Sequence, residues 1–125
     1  MAKGQTAKYI AIVDDDESVL SALRDLIEAD GLLARCFGSA EAFLESGIQP
    51  ETACLITDMR MPGMSGLELQ VRLKADGHRI PIIFISAHGD ARVRIQAMRE
   101  GAVEFFVKPF DDKAFMARVR TALDK

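Results

Sequence analysis

The chain has 125 residues, 49% of them hydrophobic and 28% charged with no biased tract, which is enough for one hydrophobic core and too few for two. Its net charge is −3 and its arginines are dispersed among acidic residues, so no basic stripe exists to track a phosphate backbone and direct nucleic-acid binding by this domain is excluded. The longest apolar runs, such as residues 80–85, fall far below the roughly 20 residues of a spanning helix, and residues 1–8 lack a signal-peptide apolar region; no membrane partner and a cytoplasmic location are expected.

Residues 1–7 read as a flexible leader, and one domain is expected over 8–125. An apolar run at 9–13 predicts a first strand, followed at once by Asp14, Asp15 and Asp16. Val19, Leu20, Leu23, Leu26 and Ile27 then share one face of a helix of about three turns that Gly31 stops. A second strand is expected at 32–37 and a short helix at 39–45. The third strand, 53–57, runs into Asp58, and the pair Ser65 and Glu68 announces a capping box ahead of a helix that carries Leu69 and Leu73. The run 81–86 predicts a fourth strand, with Asp90 as cap of a helix holding Val93 and Ala97. A fifth strand, 103–107, leads to Lys108, and Asp111 or Asp112 caps a last helix in which Phe115, Val119 and Leu123 recur every four residues.

Strand and helix alternate five times, the pattern of an α/β fold whose parallel strands need helical crossovers. In such sheets functional groups gather outside the carboxyl ends of the strands. Those ends carry Asp14 to Asp16, Asp58, Ser86 and Lys108. Crowded carboxylates at neutral pH either hold protons or recruit a hard cation, and an oxygen-only ligand set with room for water suits Mg²⁺. Lys108 is drawn to the same negative cluster and Ser86 offers a neutral donor, so together they can hold a phosphoryl group. A carboxylate can itself attack phosphorus, a reaction that depends mainly on in-line positioning and charge neutralisation. No catalytic triad or nucleotide-binding glycine loop is recognisable, so the donor must bring its own activation.

The segments Val13-Asp14-Asp15, Ile56-Thr57-Asp58-Met59-Arg60-Met61-Pro62-Gly63-Met64-Ser65-Gly66, Ser86-Ala87, Gly101-Ala102 and Val107-Lys108-Pro109-Phe110 resemble the motif set of response-regulator receiver domains. The likeness runs from about Lys8 onward, and the phrases around Asp58, His88-Gly89-Asp90 and Glu104-Phe105 resemble receivers of nitrogen-fixation and nodulation regulators. It implies a flavodoxin-like doubly wound sheet of five parallel strands in the order 2-1-3-4-5 with five helices. It also implies Asp58 as phosphoacceptor, with Asp15, Asp58 and the backbone carbonyl of Arg60 binding Mg²⁺ and Asp14 helping through water. Ser86 and Phe105 take the switch positions, Lys108 contacts a phosphoryl oxygen, and Lys108-Pro109 is expected in the cis form. Arg60 and His88 occupy the positions that modulate loss of the phosphoryl group.

The implied mechanism is a switch that catalyses only its own phosphorylation and dephosphorylation, with a sensor histidine kinase as partner. The output face is expected on the fourth helix, fifth strand and fifth helix, where Arg92, Arg94, Met98, Arg99, Glu104 and Phe106 suit a reversible homodimer or an intramolecular docking surface. The resemblance implies a helix-turn-helix DNA-binding domain for a chain that continues past Lys125, and a protein target for one that stops there.

Plainer readings apply to several residues. Asp16, followed by Glu17, is a helix cap; Cys36 and Cys54 are reduced thiols with no metal-ligand spacing; Met59, Met61 and Met64 are packing residues; His78 belongs to an exposed loop, and His88 equally to a passive one. Two enzymatic or cofactor-binding alternatives fit less well. The stretch Asp14 to Ser18 is similar to the nucleophile loop of haloacid-dehalogenase-like phosphohydrolases, but the late acidic pair of that family is replaced by Lys108-Pro109-Phe110. A flavin-binding module of the same topology would need a phosphate loop after the first strand, which is missing. A degenerate receiver acting only in docking is disfavoured because every chemical position is filled.

Overall fold

The computed structural model describes residues 8–87, 89 and 91–124. Five strands, β1 (Tyr9–Val13), β2 (Leu33–Phe37), β3 (Thr52–Asp58), β4 (Ile82–Ser86) and β5 (Glu104–Val107), alternate with helices. These are α1 (Glu17–Ala29), α2 (Ala40–Ser46), α3 (Gly66–Ala75), α4 (Ala91–Arg99) and α5 (Asp112–Leu123), and a 3-10 turn, Gln49–Glu51, precedes β3. All neighbouring strands are parallel and the order is β2-β1-β3-β4-β5, as the alternating pattern and the resemblance imply.

This order follows the chain outward from β1 to β2 and then back past β1. Crossovers of a single hand therefore place α1 on one face of the sheet and α2, α3 and α4 on the other. The core divides accordingly. Ala11, Val13, Leu55, Phe84 and Phe105 point to the α2–α4 side with Phe43, Leu69, Leu73 and Ala97. Ile10, Ile12, Cys54, Ile56, Ile83 and Ile85 point to the other side, where Leu23 and Ile27 of α1 and Phe115 and Val119 of α5 cover them. Strands β1, β3 and β4 are buried on both faces, which is why they read as continuous apolar runs.

The expected boundaries shift at the edges of the sheet. Strand β2 is an edge strand with Leu33 49% exposed, and it begins one residue later than the apolar run because Leu32 packs beneath α1 and α5 instead. Strand β3 extends to include Thr52 and Asp58. Asp111, not Asp112, caps α5, its Oδ2 accepting the Ala114 amide at 2.9 Å. The leader, the Asp90 cap and His88 lie outside the described residues. No helix among the described residues is long and apolar enough to cross a membrane.

Candidate functional site

The single reversal in strand order falls between β1 and β3, and the crevice there opens at their carboxyl ends. Register then brings the chemistry together. Val13 pairs with Thr57, so the residues that follow, Asp14 and Asp58, leave the sheet side by side. Asp58 pairs with Ile85, one residue before Ser86, and Ser86 pairs with Val107, one residue before Lys108. The Lys108 amide donates to the Ser86 carbonyl at 2.8 Å, and the Met59 amide to the Ile85 carbonyl at 3.0 Å, so both loops leave the sheet on ladder hydrogen bonds.

Asp14 continues the β1 ladder, its amide donating to the Phe37 carbonyl at 3.1 Å, and its side chain is buried. One oxygen, Oδ1, accepts the Asp16 amide at 2.9 Å, while Oδ2 has no hydrogen-bond partner and lies 3.6 Å from the Lys108 Nζ. Asp15 is exposed and Asp58 half-buried, and one oxygen of each of Asp14, Asp15 and Asp58 fits within 4.8 Å of the others. Burial pushes the Asp14 carboxyl above its ordinary range, opposed chiefly by the Asp16 amide. Burial likewise raises Asp58, against the pull of Lys108. An orphaned buried carboxylate oxygen facing two more carboxylates, with no nitrogen or sulfur ligand in the group, fits a hard metal ion.

Asp16, the third aspartate in the row, turns away. Its Oδ1 accepts the amides of Ser18 at 2.9 Å and Val19 at 3.4 Å, which makes it the N-cap of α1, as expected. Ser86 is buried, and Phe105 is 4% exposed on the face that α4 covers, in the same cluster as Ala97 and Ala102. Lys108-Pro109 is cis. Arg60 is exposed just beyond the acidic group, its amide 3.5 Å from the Asp58 Oδ1. Phe106 does not offer its ring to the outer face: it lies half-buried against Phe110 and Phe115, at centroid distances of 5.3 and 5.5 Å. The exposed apolar area of α4 and β5 comes from Ile95, Met98 and Val107.

Two residues without an expected role shape the loop after Asp58. Gly66, the first residue of α3, packs so closely that a Cβ there would lie 2.3 Å from the Asp58 carbonyl oxygen, a constraint hidden inside the Ser-Gly motif. Glu41 reaches from α2 to accept the Met64 amide at 2.9 Å. No local pattern announces that contact, because the partners lie 23 positions apart and one of them is backbone.

The chain matches the family model described as "Response regulator receiver domain" over residues 10–120. It is 50% identical over 114 residues to the response regulator protein TmoT of Ectopseudomonas mendocina, covering 91% of this chain and 52% of that protein. It is 42% identical over 116 residues to the transcriptional regulatory protein FixJ of Azorhizobium caulinodans, covering 93% and 55%. It thus spans about half the length of these relatives. Among solved structures it is similar to the N-terminal FixJ fragment, with TM-score 0.84, 38% identity and 94% of each chain covered. The response regulator StyR aligns with TM-score 0.86 and 44% identity, over 94% of this chain and 60% of that one.

Proposed function

The chain belongs to the response-regulator receiver family, and from that premise we propose that Asp58 is the phosphoacceptor of its two-component switch, with a sensor histidine kinase as donor. The observation that carries this reading is the meeting of Asp14, Asp15, Asp58 and Lys108 in the crevice between β1 and β3. A carboxylate oxygen of Asp58 attacks the phosphorus of a phosphohistidine, and the phosphorus–nitrogen bond breaks with its electron pair leaving on the imidazole.

Asp15, Asp58 and the Arg60 carbonyl would hold Mg²⁺, with Asp14 acting through water. Bound there, the ion offsets the negative charge of the phosphoryl oxygens. Lys108 draws on the same charge and binds one phosphoryl oxygen, and the Ser86 hydroxyl donates to another. Arg60, exposed beside the acceptor, and His88 modulate the access of water to the acyl phosphate.

Because Phe105 is buried beneath α4, displacement of Ser86 toward the phosphoryl group changes the packing under that helix. The output surface is formed by α4, β5 and α5, with Arg92, Arg94, Met98, Arg99 and Glu104, and it serves a homodimer or an output domain. The domain occupies 8–125 behind a leader of 1–7, and the unmatched half of the relatives, one of them named a transcriptional regulatory protein, supports a DNA-binding output domain for this chain. The decisive variant is Asp58→Asn. It should keep the fold, seen by circular dichroism, and lose covalent labelling by acetyl phosphate with Mg²⁺; stoichiometric labelling that persists would remove Asp58 from its role.

A further inference from the structure

The loop from Met59 to Ser65 must hold a fixed path, since it leaves the acceptor and presents the Arg60 carbonyl. Its far end is fixed by α3. The Gly66 amide donates to the Met59 carbonyl at 3.0 Å, and Ser65 closes a capping box with Glu68. Its middle has a different anchor. Met61 and Met64 rest on the core cluster that contains Phe43 and Ala40 of α2, and the polar contact at this seat comes from Glu41 in the first turn of the same helix.

The Glu41 Oε2 accepts the Met64 amide at 2.9 Å, and that bond holds the Glu41 carboxyl below its ordinary range. Gly63 faces the same oxygen. A Cβ at this position would stand 2.7 Å from Oε2, and its φ of +77° is one that side-chain-bearing residues rarely adopt. The Glu41 carboxylate thus meets the loop at two successive positions, lying beside Gly63 and accepting the Met64 amide. Ser39 fixes the base of the reach, its Oγ accepting the Ala42 amide at 3.0 Å as the N-cap of α2.

We propose that Glu41 is a positioning residue of the phosphoacceptor site, clamping the loop after Asp58 through the Met64 amide so that the Arg60 carbonyl is held ready to bind the divalent ion. This inference rests on the reading of Asp58 and Arg60 given above. Glu41 touches neither the phosphoryl group nor the ion. Its effect is preorganisation: a ligand held in place before binding loses less freedom when the ion arrives.

The test compares Mg²⁺ affinity, from calorimetric titration of the protein with Mg²⁺ alone, with the rate of acetyl phosphate labelling at subsaturating and saturating Mg²⁺. Glu41→Ala should weaken affinity by about three- to ten-fold, the range of one ordinary solvent-exposed hydrogen bond, and saturating Mg²⁺ should restore the labelling rate. Glu41→Gln, whose amide oxygen can accept the same N–H, should behave as the parent protein. Unchanged affinity in Glu41→Ala overturns the proposal, and so does an equal loss in Glu41→Gln. Stoichiometric labelling of Asp58→Asn would instead defeat the underlying reading, whatever Glu41 does.

Discussion

Asp14, Asp15 and Asp16 are consecutive, yet each meets a different environment because the chain changes direction beneath them. Asp14 still obeys the strand and is buried with one oxygen unpartnered, Asp15 emerges into the crevice, and Asp16 already caps α1. Burial acts as plainly on Cys54, inside the layer under α1 and α5, where it pushes the thiol from the ordinary 9.0 up to about 12. The folded chain thus keeps this proton over a range in which the unfolded chain releases it, so stability must fall as pH rises above 9 toward 12. Each pH unit in that window removes up to about 1.4 kcal/mol. Cys54→Val, measured by urea unfolding at pH 8 and pH 11, should show a smaller loss between the two than the parent; equal slopes would contradict the buried thiol's part in it. Residues whose role follows from position along a strand were legible in the sequence: Asp14, Asp58, Ser86 and Lys108 all follow from asking what stands at a carboxyl end. The Glu41–Met64 contact was not, because side chain to backbone recognition across two elements leaves no periodicity.

Elements followed the same rule. Central strands β1, β3 and β4 were plain because burial on both faces demands an unbroken apolar run, whereas the edge strand β2 mixes exposed and half-buried positions and its start was displaced by Leu32. The 3-10 turn Gln49–Glu51 went unread, since it is fixed not by an apolar pattern but by the buried Gln49 amide donating to the carbonyls of Phe43 and Leu44 at 3.0 and 3.1 Å. Helix α3 was the clearest helix start. Its capping box is complete, with the Ser65 Oγ accepting the Glu68 amide at 3.1 Å and the Glu68 Oε1 accepting the Ser65 amide at 2.8 Å. Ser65→Ala removes one acceptor from a helix end and should lower unfolding free energy by about 1 kcal/mol in urea titrations. Ser65→Asp, which keeps a side-chain acceptor, should recover most of that loss; failure to recover would mean that the hydroxyl acts through something other than the cap.

At the scale of the whole molecule, the topology that creates the site also works against the fold. The reversal of strand order brings two raised, partly desolvated carboxyls and an exposed one within a few ångströms, and Lys108 compensates them incompletely. At neutral pH this charge is held by the rest of the core, so any change that neutralises it should stabilise the domain. Binding of a divalent cation does so by mass action. At a free Mg²⁺ concentration about 100 times the dissociation constant, the gain is roughly 2.7 kcal/mol, a rise in thermal midpoint of several degrees for a domain of this size. Asp58→Asn should reproduce part of that gain without any ion. In metal-free buffer at pH 7 its unfolding free energy should exceed the parent's by an amount on the order of 1 kcal/mol, while its further gain on adding Mg²⁺ shrinks. The two effects must appear together, because both come from the same charge. A variant that gained stability yet kept the parent's full response to Mg²⁺ would separate the repulsion from the ion site and place the cation elsewhere in the molecule.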